Sequence, residues 1–233
     1  METFAGSIIS FCRDLDFKNP LPPGINVMNP FRDEKVFNTV RAFYNKYYND
    51  SRKRRLIIGI NPGRHGAGVT GIPFTDTTRL AEFCGLEIEG LSSFETSSVF
   101  VYELIAKYGG PEKFYSDYYI TSVSPLGFTR NTEKGGEVNY NYYDSRELEA
   151  SVKPFAIECL KKQLEFGIYT DVCFCLGTGK NYRFVSRLNE ELGIFGQVIP
   201  LEHPRYIMQY KLKSKEKYLA DFTLKLQSRA KIS

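Results

Sequence analysis

The residues most capable of chemistry lie in a glycine-rich segment that follows a short apolar run. The run LIIGI continues into NPGRHGAGVTGIPF, which places Asn61 and His65 among several glycines and two prolines. Glycine-rich turns after a buried strand often hold phosphate groups, because their backbone N–H groups can approach a ligand closely. The segment therefore has three interpretations: a dinucleotide site, a triphosphate site, or a tight turn that binds no ligand.

The dinucleotide interpretation rests on Gly66, Gly68 and Gly71, which together spell GxGxxG. That fingerprint needs its first glycine at the end of the strand and a helix that runs through its last glycine. Here five residues separate the strand from Gly66, and Pro73 follows Gly71 by two residues. Proline disfavours a helix at this point, so the fingerprint lacks its usual context.

The triphosphate interpretation rests on Gly63 and Gly68, which have the spacing of a Walker loop, with Thr70 in its Ser/Thr place. The required lysine is replaced by Val69, so the loop lacks its main positive charge for a triphosphate. On spacing alone, nucleotide or dinucleotide binding by loop 63–71 and a ligand-free turn remain open.

A second candidate group lies near the C-terminal end, in the segment LEHPRYIMQYK. His203 follows a predicted strand, and a neutral imidazole there could donate a hydrogen bond to a leaving group that gains negative charge. Asn61 cannot act as a strong base, but its amide can orient a water molecule through hydrogen bonds. A donor and a held water are the parts needed to hydrolyse a bond whose leaving group departs as an anion.

Three separated blocks resemble the uracil-DNA glycosylase superfamily, in its single-strand-selective monofunctional branch. GINPG followed by TGIPF is similar to motif one of that branch, in which the pattern is Gly-Met-Asn-Pro-Gly, a loop, and Thr-Gly-Val-Pro-Phe. The spacing of 13 residues from Asn61 to Phe74 agrees with it. YYITSVSPLGF resembles the base-recognition strand, which ends in a Pro-Leu pair, and HPR resembles motif two. The blocks occur in the same order over most of the chain.

The resemblance implies a role for each matching residue. Asn61 would hold the attacking water, Gly63 would leave room for the base, Phe74 would stack on the base, and His203 would be the catalytic histidine. The segment after His203 would be a loop that wedges into the DNA, with these DNA-contacting residues: Arg205, Tyr206, Ile207, Met208 and Lys211.

Two positions depart from the branch. Ser122 stands where the recognition strand normally carries Asn, and the wedge lacks the usual Ser. In these two positions the chain resembles a bacterial sister subfamily. We therefore expect Ser122 to contact the base, and we expect the deaminated purines hypoxanthine or xanthine to be removed along with uracil.

The implied activity is that of a monofunctional DNA glycosylase, which hydrolyses the N-glycosidic bond and leaves an abasic site for base excision repair. No lysine stands in either motif, so a Schiff-base lyase step has no evident nucleophile. The resemblance implies no cofactor. Its partner would be DNA that contains damaged bases, bound by a monomer.

These motifs require a scaffold that brings strand ends together. Apolar runs predict strands and 3.6-residue periodicity predicts helices between them. The strands are expected at 56–60, 118–123, 171–176 and 197–201, and the helices at 34–48, 75–84, 97–108, 145–166, 178–192 and 214–228. The alternation predicts a three-layer α/β/α sandwich with a mainly parallel central sheet, formed by one domain over residues 1–233. Such sheets bind ligands at the carboxyl ends of their strands, where the motifs lie.

The composition bears on three further properties of the protein: its partner, its metal content and its location. The 233 residues carry a net charge of +4, which is compatible with a phosphate-bearing partner. The five cysteines include no CxxC pair, so we expect buried thiols in a reducing compartment and no metal. Neither a signal peptide nor a membrane span is evident, which predicts a cytoplasmic protein, or a nuclear one if the source is a eukaryote.

Overall fold

The computed structural model describes residues 2–230, and over that range it contains seven strands, ten α-helices and two short 3-10 helices, Pro30–Arg32 and Leu212–Ser214. The strands are β1 (Ile25–Met28), β2 (Arg54–Gly59), β3 (Tyr118–Ser122), β4 (Gly127–Asn131), β5 (Glu137–Tyr140), β6 (Ile168–Leu176) and β7 (Gln197–Leu201). The helices are α1 (Phe4–Asp14), α2 (Glu34–Tyr48), α3 (Ala67–Thr70), α4 (Thr77–Cys84), α5 (Thr96–Tyr108), α6 (Pro111–Asp117), α7 (Arg146–Leu164), α8 (Lys180–Leu192), α9 (Pro204–Tyr210) and α10 (Lys215–Ala230).

The central sheet has the strand order β3-β2-β6-β7, and every pair in it is parallel. Its strands read as near-continuous apolar runs because both faces are covered. Ile57 faces α5, α6 and α10, whereas the next residue, Ile58, faces α7 and α8. This alternation confirms the predicted three-layer α/β/α sandwich.

A second, smaller sheet has the antiparallel order β1-β4-β5. None of its strands is among the predicted ones. This sheet lies directly against the glycine-rich loop: a Cβ atom on Gly127 of β4 would come within 2.6 Å of the Pro62 carbonyl oxygen and 2.5 Å of Met28 Cε. Glycine at 127 therefore allows the small sheet to approach the loop that carries Asn61.

Two further expectations can be compared with the structure. All five cysteines are buried and free, which confirms the prediction of buried thiols. The segment after His203 was expected to be a loop, but it forms α9. Pro204 occupies the first turn of that helix, where a missing N–H is tolerated, and His203 caps it. Between residues 2 and 230, no helix combines the length and the apolar character needed to cross a membrane.

Candidate active site

A cavity of about 630 Å³ opens at the carboxyl ends of the parallel strands. It receives side chains from the loop after β2, the end of β3, the turn after β6 and the segment after β7, because parallel strands end at one edge of the sheet. Its lining includes the following residues expected from the sequence: Asn61, Gly63, Phe74, Ser122, His203, Arg205 and Tyr206. The motifs are thus brought to one place.

Asn61 is held by backbone groups on two sides. Its Oδ1 accepts a hydrogen bond from the Tyr142 N–H at 3.0 Å, and its Nδ2 donates to the carbonyl oxygens of Pro62 and Tyr140, at 3.2 and 3.3 Å. The amide orientation follows from these partners, and one acceptor position on Oδ1 is left for a water molecule. Asn61 also joins the glycine-rich loop to the segment after β5.

Phe74 has φ = 52°, and it is the one non-glycine residue with a positive φ in the part of the chain that the structure describes. Such a backbone costs of order 1–3 kcal/mol and tends to occur at functional sites. The ring lies across the end of β2, where a Cβ atom on Gly59 would be 3.1 Å from it and 3.4 Å from Ser122 Oγ. The ring centroid is 5.8 Å from that of His203. Glycine at 59 thus lets Phe74, Ser122 and His203 converge.

His203 is fixed by the helix that it caps. Its Nδ1 accepts a hydrogen bond from the Arg205 N–H at 3.2 Å, so the neutral ring carries its proton on Nε2. Burial, with a contribution from the Arg205 charge, lowers the pKa of His203 to about 4. The imidazole is therefore neutral at physiological pH, and its remaining N–H is available as a hydrogen-bond donor in the cavity.

The glycine-rich loop uses its own amides internally. The N–H groups of Gly66 and Gly68 both donate to the Gly63 carbonyl oxygen, at 3.1 and 2.9 Å, and the Val69 N–H donates to Gly66. These three N–H groups are therefore already occupied by hydrogen bonds within the loop. The nucleotide- and dinucleotide-binding interpretations of loop 63–71 depended on free backbone N–H groups, so these bonds argue against both interpretations. The replacement of the Walker lysine by Val69 also argues against triphosphate binding.

The family assignment follows from the sequence and from the fold. The sequence model of the Uracil DNA glycosylase superfamily matches residues 45–227. The chain belongs to this superfamily. Its fold is also similar to the crystal structure of wild-type SMUG2 from Pedobacter heparinus, with 51% sequence identity, 98% coverage of each chain and a TM-score of 0.96. This similarity supports the single-strand-selective monofunctional branch. No curated protein sequence matches the chain.

The glycosylase is thus an enzyme that hydrolyses N-glycosyl bonds and acts on DNA. Its cavity explains where such a reaction can occur: an apolar ring at Phe74, a neutral donor at His203 and an oriented amide at Asn61 face the same space. The individual roles of Asn61, Gly63, Phe74, Ser122 and His203 stay predictions.

The predicted DNA-contacting residues of the glycosylase lie on different faces of α9, and only some of them face the cavity. Arg205 and Tyr206 line the cavity and are exposed, as is Lys211 after the helix. Ile207 is fully buried in the core, and Met208 is partly buried and packs against it. The expectation that Ile207 wedges into DNA was therefore wrong, because a helix turns every third or fourth side chain inward. Met208 is a poor candidate for the same reason.

Two further aromatic or polar residues on the outer face of α9 were missed: Gln209 and Tyr210. Tyr210 is 71% exposed, and its ring packs on that of Tyr206 with a centroid distance of 5.5 Å. An exposed aromatic pair beside the cavity is suited to stack on bases. Helical spacing of four residues between the two Tyr residues could have revealed this pair once the segment was assigned to a helix.

The cavity of the glycosylase also contains an acid that the sequence did not single out. Glu95 lines the cavity beside the glycine-rich loop, and its backbone N–H donates to Asp76 Oδ2 at 2.7 Å. Burial, reinforced by the nearby Asp76 carboxylate, raises the pKa of Glu95 to about 7. Glu95 directly precedes α5, where an acid ordinarily stabilises the helix N-terminus, so the sequence offers a simple structural explanation for it.

Proposed function

We propose that this glycosylase removes uracil and also the deaminated purines hypoxanthine and xanthine from DNA, and that it acts as a monomer. The observation that supports this range is the hydroxyl of Ser122 at the end of β3, in the position where the branch resembled above carries Asn. An Asn amide presents an acceptor and a donor in fixed positions that match the edge of uracil. The Ser122 hydroxyl can rotate, so it can donate a hydrogen bond to one base and accept one from another. Adaptable sites discriminate less between bases than sites with fixed geometry.

In the proposed reaction the base is flipped out of the stack into the cavity. Phe74 provides the stacking face, and the outer face of α9 contacts the vacated stack through Tyr206 or Tyr210. As the bond to C1′ breaks, negative charge develops on the base. The neutral His203 then stabilises that charge by donating from Nε2, which needs no proton transfer. Asn61 holds the water that attacks the sugar.

The test uses labelled single- and double-stranded oligonucleotides that contain uracil, hypoxanthine or xanthine, and a matched oligonucleotide with normal bases. Enzyme in excess gives single-turnover rates, and alkali converts abasic sites into breaks. We expect all three lesions to be removed and the normal oligonucleotide to stay intact. Strict uracil removal would contradict the purine range, and no removal at all would contradict the function.

The same gel tests the monofunctional character. Lys180 is the lysine that lines the cavity among the described residues, at the start of α8. We expect breaks only after alkali treatment, because Lys180 is exposed at the rim and its Nζ lies over the Tyr143 ring, 5.5 Å from the centroid. Breaks before alkali, or a covalent adduct trapped by borohydride, would indicate a Schiff base.

A further inference from the structure

The side chain of Glu95 lines the cavity, although the residue stands at the start of α5. Glu95 is the N-cap residue of α5, yet its carboxylate makes no capping hydrogen bond to that helix. Instead it lies against the glycine-rich loop. A Cβ atom on Gly63 would be 3.2 Å from Glu95 Oε1, and one on Gly66 would be 2.7 Å from Cδ and would overlap Oε2. Two glycines therefore leave space for a carboxylate in the wall of the cavity.

The reaction needs a group that accepts a proton. Water that attacks C1′ must lose one, and Asn61 cannot take it because an amide has no useful basicity. The Nδ1 of His203 already accepts the Arg205 N–H, and its Nε2 carries the proton that serves as a donor. Two carboxylates line the cavity among the described residues, Glu95 and Glu202. Glu202 lies beside the turn after β6, where it accepts a hydrogen bond from the Thr178 hydroxyl at 3.1 Å, whereas Glu95 lies against the loop that carries Asn61.

We propose that Glu95 is the general base of this glycosylase. The proposal rests on the proposed function. The water oxygen forms a bond to C1′ while the C1′–N bond breaks and its electron pair leaves with the base. The water proton passes to the Glu95 carboxylate. The departing base anion is stabilised by the N–H of His203 and takes its proton from solvent after release. Asn61 orients the water and Glu95 accepts its proton.

The surroundings of Glu95 set the pH at which this base works. Burial and Asp76, the N-cap residue of α4, both favour the neutral carboxyl, whereas Arg205 on α9 and the nearby Ser98 hydroxyl favour the carboxylate, and the resulting pKa is about 7. Arg64 and His65 of the glycine-rich loop are exposed, on the loop that Glu95 contacts. Because the base must be ionised, the rate of excision falls as the pH drops below about 7. His203 stays neutral over this range, since its pKa is about 4.

The experiment measures single-turnover uracil excision with saturating enzyme, from about pH 5.5 to about pH 8.5, where a general base with a pKa near neutrality produces an acid limb. In the parent protein we expect the rate to rise about tenfold per pH unit on that limb and then level off. In Glu95→Gln, which keeps the shape and loses the base, we expect a rate about 100-fold lower at the plateau, with no acid limb.

Three further variants separate this role from a structural one. Glu82→Gln changes an exposed acid on α4 and should keep the parent profile, as should His65→Gln, which removes the imidazole of the neighbouring loop. Arg205→Gln removes the charge that favours the carboxylate, so the midpoint of the acid limb should move to higher pH. It also tests the assignment without altering Glu95. Thermal unfolding is measured for every variant.

The outcomes are distinguishable. Excision by the parent with a flat profile, or full activity of folded Glu95→Gln, would overturn the role of Glu95 and leave the proposed function intact. An acid limb that disappears in His65→Gln would also overturn it. If Glu95→Gln does not fold, an unshifted midpoint in Arg205→Gln counts against the proposal and a shift to higher pH supports it. Absence of excision by the parent would contradict the proposed function itself.

Discussion

At the scale of single residues, the groups that face the cavity are oriented mainly by backbone atoms. Asn61 is bound by two carbonyl oxygens and one N–H, and His203 by the N–H of Arg205. Backbone partners cannot change rotamer, so they hold a side chain within the narrow range that catalysis requires. The sequence identified these residues by type and spacing, but their hydrogen-bond partners come from the fold.

His203 caps α9 and has a proposed role as a hydrogen-bond donor, and mutation can separate the two. His203→Ala should lower the single-turnover rate about 100- to 1000-fold, because a transition-state donor is lost. It should also destabilise the protein by about 1 kcal/mol, because the cap of α9 is lost. His203→Ser restores a capping oxygen without the imidazole. We expect Ser to recover the unfolding temperature but not the rate, and recovery of the rate would contradict the donor role.

Ser122 carries the prediction about base preference. Ser122→Asn should increase the ratio of uracil to xanthine and hypoxanthine excision, because a fixed amide matches one edge and mismatches others. Single-turnover rates on the three lesions measure the ratio. Ser122→Ala serves as the control, since it removes the hydroxyl without adding an amide. An unchanged ratio in Ser122→Asn would show that the preference is set elsewhere.

At the scale of elements, the predictions succeeded where apolar runs were long. All four predicted strands are present in the parallel sheet, and β7 has the predicted bounds, 197–201. The small sheet was missed because its strands have only four or five residues and β5 is largely exposed, so no alternating pattern marks them. For α9 the sequence contains one start signal, proline at 204 in the first helical position, whereas the cap formed by His203 is evident only in the structure because His is not a usual N-cap residue.

A buried charge connects several elements at the start of β2. The Arg54 side chain is fully buried; it donates to both carboxylate oxygens of Asp50, at 2.7 and 3.0 Å, and to the Tyr115 carbonyl oxygen at 3.0 Å. It also lies over the rings of Phe4 and Tyr48, at 4.7 and 4.9 Å from their centroids. Residues from α1, α2 and α6 thus surround one guanidinium.

We expect Asp50→Asn to lower the free energy of unfolding by about 3 kcal/mol at neutral pH, because the buried guanidinium loses its counter-charge. Burial opposes ionisation of Asp50, but hydrogen bonds from Arg54 and Arg52 outweigh it and lower its pKa well below the usual value. A lowered pKa means that Asp50 stabilises the fold above about pH 4 and that this contribution is lost as the pH falls further.

Urea denaturation at neutral and acidic pH measures both effects. The difference between Asp50→Asn and the parent should shrink on acidification below about pH 4. Glu158→Gln is the matched control, because Glu158 pairs with Lys162 four residues away on an exposed face of α7. Its effect should stay within about 0.5 kcal/mol. Equal effects of the two substitutions would contradict the importance of burial.

At the scale of the whole molecule, the site combines residues that are far apart in the chain. Asn61 and His203 are separated by more than half of the 233 residues, and Glu95 lies between them. The sequence motifs identified Asn61 and His203 because the residue patterns around them are distinctive. Glu95 could not be identified from the sequence, since only the packing of the segment before α5 against loop 63–66 brings it into the cavity.

The whole protein should work without a metal. Residues 2–230 contain no group of three or more His, Cys, Asp or Glu side chains arranged to hold a metal ion. In the proposed mechanism the cavity groups act through hydrogen bonds, a general base and a water molecule, without a metal. We expect full excision in EDTA after extensive dialysis. Activity that is lost in EDTA and restored by zinc or magnesium would contradict this.

The left-handed backbone of Phe74 also bears on how the protein could evolve or be engineered. Glycine adopts that conformation at little cost, so Phe74→Gly should relieve strain and offset part of the packing that the lost ring provided. The same change would remove the surface on which a flipped base is expected to rest. The backbone strain at position 74 and the packing of its ring therefore act on stability in opposite directions. Selection for heat resistance alone would favour a ring held on an unstrained backbone, whereas selection for repair would keep the ring where a flipped base is expected to rest.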